Sequence, residues 1–100
     1  MDAIENKETC PAESLLKLLS GKWKSQIVRL AFDAPVRFNS LLRQIEGLNK
    51  QTLSIALKEL EDNGIFNKKT VSEKPLHIEY NLSEKGKALI PILRQLELLS

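Results

Sequence analysis

The chain has 100 residues, of which 42% are hydrophobic and 28% charged, with only four glycines and four prolines. That composition fits one folded domain and excludes a disordered or fibrous chain; it also leaves so little core that a second subunit is a natural cover for leftover apolar surface. The formal net charge of +2 is too mild to announce a nucleic-acid partner by itself, and a lone cysteine, Cys10, excludes an intrachain disulfide framework and points to a reducing, cytoplasmic setting.

Residues 1–9, MDAIENKET, are polar and aperiodic and are expected to form a flexible arm ahead of a domain over 10–100. The acid-rich start lacks the plan of a signal peptide, and no apolar run approaches the roughly 20 residues of a membrane span. Cys10-Pro11-Ala12-Glu13 reads as a helix start, with proline tolerated in the first turn and Glu13 facing the positive helix end. Leu15, Leu16, Leu18 and Leu19 give this helix an apolar stripe, and Ser20-Gly21 ends it.

Trp23, Ile27, Leu30 and Ala31 recur at helical spacing and predict a second helix from about Lys22 to Phe32, broken by Asp33-Ala34-Pro35. Phe38, Leu41, Leu42 and Ile45 predict a short third helix, followed by a tight connection at Glu46-Gly47-Leu48-Asn49. Asn49 is a plausible N-cap for a fourth helix whose Leu53, Ala56, Leu57 and Leu60 share one face, and Asn63-Gly64 stops it.

After Gly64 the period shifts towards two. Residues 65–71 predict a strand, 72–75 a loop, and the alternation of Leu76, Ile78, Tyr80 and Leu82 a second strand. Ser83 then caps a closing helix over about 83–99, in which Pro91 predicts a kink. The fold class is mainly α with a small β-hairpin.

Segment 38–63 has the plan of a helix-turn-helix, with Leu42, Leu48, Leu53 and Ala56 placed to pack the corner and Gly47 suited to its turn. If the leucines of the fourth helix face inward, Gln51, Ser54, Ile55 and Lys58 face outward, flanked by Lys50 and Thr52. That set suits a major groove: Gln can read adenine, Lys guanine or phosphate, Ser either donors or acceptors, and Ile55 a thymine methyl. Lys68, Lys69 and Lys74 form a second basic element on the hairpin, a wing over about 65–82, and Asn39, Lys22 and Lys24 are further candidate contacts. Positive charge concentrates accordingly, with ten Lys/Arg against seven Asp/Glu over residues 21–80.

Three blocks in order, LLSGKWK (18–24), RFNSLLRQIEGLNKQTLSIALKELEDNGI (37–65) and PLHIEYNLSEKGKAL (75–89), resemble the HxlR-type winged helix-turn-helix transcriptional regulators. The resemblance implies a dimeric winged helix-turn-helix that binds double-stranded DNA, with the fourth helix as reader and the terminal helices as homodimer interface. Leu15, Leu89, Ile92, Leu93 and Leu96 are the expected interface residues. Relatives of this kind use a cysteine near the position of Cys10 to sense oxidants or electrophiles. A helix N-terminus would favour its thiolate, so Cys10 is a candidate redox sensor, with an inert small residue as the alternative.

His77 has no Cys, His or acidic neighbour at metal-ligand spacing and is expected at the surface, as are the acids Glu59, Glu61 and Asp62. No metal or cofactor site is expected. The absence of a phosphate-binding glycine loop, nucleophile elbow or paired-acid motif argues against an enzyme. A winged helix serving as a protein-interaction module without DNA binding is the competing reading; a small-molecule effector is unreadable.

Overall fold

The computed structural model describes residues 11–100. Four helices come first: α1 (Pro11–Leu19), α2 (Lys24–Leu30), α3 (Phe38–Gln44) and α4 (Lys50–Asp62). A hairpin of β1 (Phe66–Glu73) and β2 (Leu76–Leu82) follows, then α5 (Glu84–Lys87) and α6 (Leu89–Leu99). No helix among the described residues is long and apolar enough to cross a membrane.

The core gathers the apolar face of every early element. Ile27 and Val28 of α2, Leu41 of α3, Leu53, Leu57 and Leu60 of α4, and Ile65 and Phe66 at the start of the hairpin are all essentially inaccessible. Full burial of one such side chain is worth about 1.5–3 kcal/mol, so these residues, rather than the short helices' own propensities, hold the fold.

Three sequence expectations are corrected. The second helix is shorter than 22–32, because Trp23 and Ala31 take the capping positions. The hairpin strands run further than expected, leaving only Lys74-Pro75 as the turn, and an irregularity between Thr70 and Ser72 absorbs the odd residue Val71. The closing helix is not one kinked rod: Ala88 separates α5 from α6. Pro91 therefore lies in the first turn of α6, where a missing N–H costs no helical hydrogen bond.

One pairing carries no periodic signal in the sequence. Val36, in the α2–α3 connection, bridges Tyr80 of β2 through two reciprocal backbone hydrogen bonds of 2.9 Å. This bridge ties the hairpin to the chain segment entering α3, and so fixes the wing relative to the helix-turn-helix.

Candidate nucleic-acid interface

Helix α4 is set by its cap and its core face. Asn49 holds extended backbone angles, and its Oδ1 accepts a 2.8 Å hydrogen bond from the Thr52 N–H, satisfying one of the first-turn donors. At the corner before it, Gly47 has φ +87°, and a Cβ there would stand 3.4 Å from the Trp23 ring. Trp23 is thus a packing residue beneath the helix-turn-helix corner, with its indole partly covered.

With Leu53, Ala56, Leu57 and Leu60 buried, the opposite side of α4 presents Lys50, Gln51, Ser54, Ile55 and Lys58 to solvent. Ile55 is 54% exposed, which places an apolar contact in the middle of a polar face. Thr52 lies at the margin, half-buried. Lys58 makes only an exposed 3.4 Å pair with Asp62 one turn on; such pairs contribute little and leave the ammonium available.

The hairpin divides its three lysines. Residues paired across an antiparallel ladder share a face, and neighbours along a strand alternate. Lys68 pairs with Tyr80 and belongs to the face that carries Phe66 and Leu82 into the core, whereas Lys69 pairs with Glu79 on the opposite face. Lys68 consequently lines a cleft of about 300 Å³ with Ser54, Lys58 and Glu61 of α4. Lys69 does not join that cluster, and Lys74 stands exposed at the turn. Tyr80 forms part of the cleft wall; burial, aided by the Glu61 carboxylate, pushes its phenol above the ordinary value of 10.0.

Other expected site residues fare unequally. Lys22 is exposed, with Nζ 4.9 Å from the Trp23 ring centroid. Lys24 is not a free cation: its Nζ sits 2.5 Å from Glu59 Oε1, and its side chain is only 22% exposed. This ion pair joins α2 to α4, so Glu59, exposed as expected, also ties the two helices together. Asn39 is exposed on α3 and lines a second cleft with Arg37, Phe38, Leu76 and Ile78. Arg37 was missed, although a basic residue just before a helix-turn-helix was a visible signal.

Of the expected interface leucines, Leu89 is 5% exposed and belongs to the core, because the break at Ala88 turns the first residue of α6 inward. Leu15 and Leu93 are partly buried against the core, while Ile92 and Leu96 are 55% and 50% exposed. Leu16, Leu98 and Leu99, not among the expected interface residues, are more exposed still. Cys10 lies outside the described residues. Among those residues no cluster of His, Cys, Asp and Glu is arranged to hold a metal ion. His77 and Glu79 sit 3.1 Å apart, and the His77 ring is half-buried rather than fully at the surface.

The HxlR-like helix-turn-helix family matches residues 18–99. The chain belongs to that family. An HTH-type transcriptional regulator of Halalkalibacterium halodurans is 42% identical over 94 residues, covering 93% of this chain and 83% of that protein. The HTH-type transcriptional regulator YodB of Bacillus subtilis is 34% identical over 89 residues, covering 88% and 80%. Among solved structures, reduced YodB superposes with a TM-score of 0.81 at 33% identity, covering 90% of this chain and 89% of that one. The reduced redox regulator HypR gives 0.82 at 33% identity, covering 88% and 87%. YodB is similar also in its diamide-treated and quinone-bound forms, with TM-scores of 0.79 and 0.78. This HxlR-like chain is therefore a winged helix-turn-helix transcriptional regulator of the DNA-binding class, with the hairpin as its wing. Nothing in these likenesses favours an interaction module without DNA binding.

Proposed function

We propose that this HxlR-like protein works as a homodimer that occupies an inverted-repeat operator and changes polymerase access. The observation that carries the reading is the convergence of Ser54 and Lys58 of α4 with Lys68 of the wing on one cleft beside an exposed helix face. A helix fits the major groove, and its polar side chains meet base edges there while cations neutralise phosphates. Gln51, Ser54 and Ile55 are the base-reading residues, and Lys50, Lys58 and Lys68 hold the backbone. Lys22, Asn39 and Lys74 are outer phosphate contacts; Lys24 acts indirectly, through Glu59.

The dimer is supported by exposed aliphatic residues on the two terminal helices, Leu16 on α1 and Ile92, Leu96, Leu98 and Leu99 on α6. Covering them with a two-fold partner removes apolar surface from water and presents two reading helices to successive major grooves, about 34–36 Å apart. Selection of bound sequences from a random duplex pool tests the proposal. An enriched inverted repeat with one-turn half-site spacing is expected; no enrichment at low ionic strength refutes it.

A redox input through Cys10 is a second element of the reading, favoured by the likeness to YodB in diamide-treated and quinone-bound form and to the redox regulator HypR. Diamide or quinone treatment is expected to weaken operator binding by the native protein and not by a Cys10→Ser variant. Equal response of both proteins excludes Cys10 as the sensor.

A further inference from the structure

Behind the Val36–Tyr80 bridge lies a cleft of about 370 Å³ that none of the candidate DNA contacts lines. One wall is the α2–α3 connection, with Phe32, Asp33 and Pro35; the other is the end of β2, with Asn81 and Leu82, and Lys87 of α5. The Phe32 ring is held in place by two guanidiniums, Arg29 at 5.1 Å and Arg94 at 5.4 Å from its centroid. Phe32, Pro35 and Leu82 give the cleft an apolar lining, and Asp33 and Lys87 bring one charge of each sign to it. These two do not pair with each other. Lys87 Nζ stands 3.8 Å from Glu84 Oε2 in an exposed pair of little strength, and Asp33 has no ion-pair partner among the described residues.

A ligand that satisfies both ends must itself carry both charges. A simple carboxylate meets repulsion from Asp33, a simple amine meets it from Lys87, and a neutral molecule uses neither. We propose that the cleft binds a free α-amino acid with an apolar side chain. The ligand's ammonium meets Asp33, its carboxylate meets Lys87 and the carboxamide N–H of Asn81, and its side chain packs on Phe32, Pro35 and Leu82. The site touches the chain on both sides of the bridge, at Pro35 just before Val36 and at Asn81 just after Tyr80. A bound amino acid therefore adds a second tie between the wing and the segment entering α3, and favours the wing position that DNA selects. This consequence rests on the DNA-binding reading above; the binding site does not.

An NMR titration of the isotope-labelled full chain with L-leucine and L-phenylalanine tests the site, because amide shifts report where a weak ligand sits. A ligand of roughly ten non-hydrogen atoms is expected to bind with Kd of about 1 mM, moving the amides of residues 31–36 and 80–87. The N-acetyl derivative, which lacks the ammonium, and the amide, which lacks the carboxylate, are each expected to bind about tenfold more weakly. Asp33→Asn should abolish the preference over the N-acetyl derivative alone, and Lys87→Gln the preference over the amide alone; both positions are exposed, so folding is left intact. No shifts at those amides, equal binding of the blocked analogues, or variants that discriminate like the native protein overturn the site. At saturating L-leucine or L-phenylalanine, whichever binds, operator affinity is expected to rise about fivefold. Unchanged operator affinity at saturation overturns the tie to the wing. Operator binding measured without any amino acid judges the regulator reading by itself, so the two failures are told apart.

Discussion

Replacing Gly86 by alanine is expected to cost stability although alanine is the better helix former. A Cβ on Gly86 would stand 2.3 Å from the Ile65 carbonyl oxygen and 3.0 Å from Leu82 Cδ2. Carbon–oxygen contacts settle at about 3.3 Å, so α5 and the start of the hairpin must part by about 1 Å. The same carbonyl accepts a 2.9 Å hydrogen bond from the Ser83 N–H and a 3.1 Å bond from the Ser83 hydroxyl. The Ser83 hydroxyl shares its single proton between that carbonyl and the Gly64 carbonyl, and its Oγ accepts from the Gly86 N–H at 3.0 Å. Overpacking costs about 1–3 kcal/mol and loss of one such hydrogen bond about 1 kcal/mol, against a helix-propensity gain of about 1 kcal/mol. The net is roughly 2 kcal/mol, or a fall in Tm of about 10 °C for a domain of this size. Because Gly64-Ile65 joins α4 to the wing, operator affinity should drop too, even well below Tm. Thermal unfolding followed by circular dichroism at matched protein concentration, with a gel shift at low temperature, gives both readings. A Gly86→Ala variant as stable as the native protein would refute the packing argument.

Lys58→Ala and Lys68→Ala are each expected to reduce the slope of log affinity against log salt by about 0.9, and Lys69→Ala, on the far face of the wing, by much less; a salt-titrated gel shift decides, and equal slopes for the Lys68 and Lys69 variants would contradict the division of the hairpin faces. Leu96→Glu places a charge on a surface that is half exposed in the protomer, so it should yield a folded monomer in sedimentation with operator affinity largely lost; a dimer of native affinity would remove α6 from the interface. The raised pKa of Tyr80 means that the fold favours the neutral phenol, so its stabilising contribution is whole below the unfolded-state value near 10.0 and lost as pH rises through the folded one. Tyr80→Phe should therefore flatten the alkaline fall in stability above that value, as read by urea unfolding across pH, and an unaltered alkaline limb would rule this out.

Much of the molecule was written locally in the sequence. The three- and four-residue spacing of Leu53, Ala56, Leu57 and Leu60 fixed which side of α4 is buried, and hence that Gln51, Ser54, Ile55 and Lys58 face out; Asn49, Gly47 and Gly64 marked the ends of elements through cap and turn chemistry. Such features depend on neighbours a few residues away, which is why periodicity reveals them. The tertiary structure alone decided what depends on partners distant in sequence. Lys24 is bound to Glu59, Leu89 is in the core, and Arg37 shares a cleft with Leu76, because α2 meets α4, α5 breaks from α6, and Val36 bridges to Tyr80. Lys68 and Lys69 are adjacent and chemically identical, so nothing in their spacing ranks them; the ladder register against Tyr80 and Glu79 sends one towards α4 and the other away.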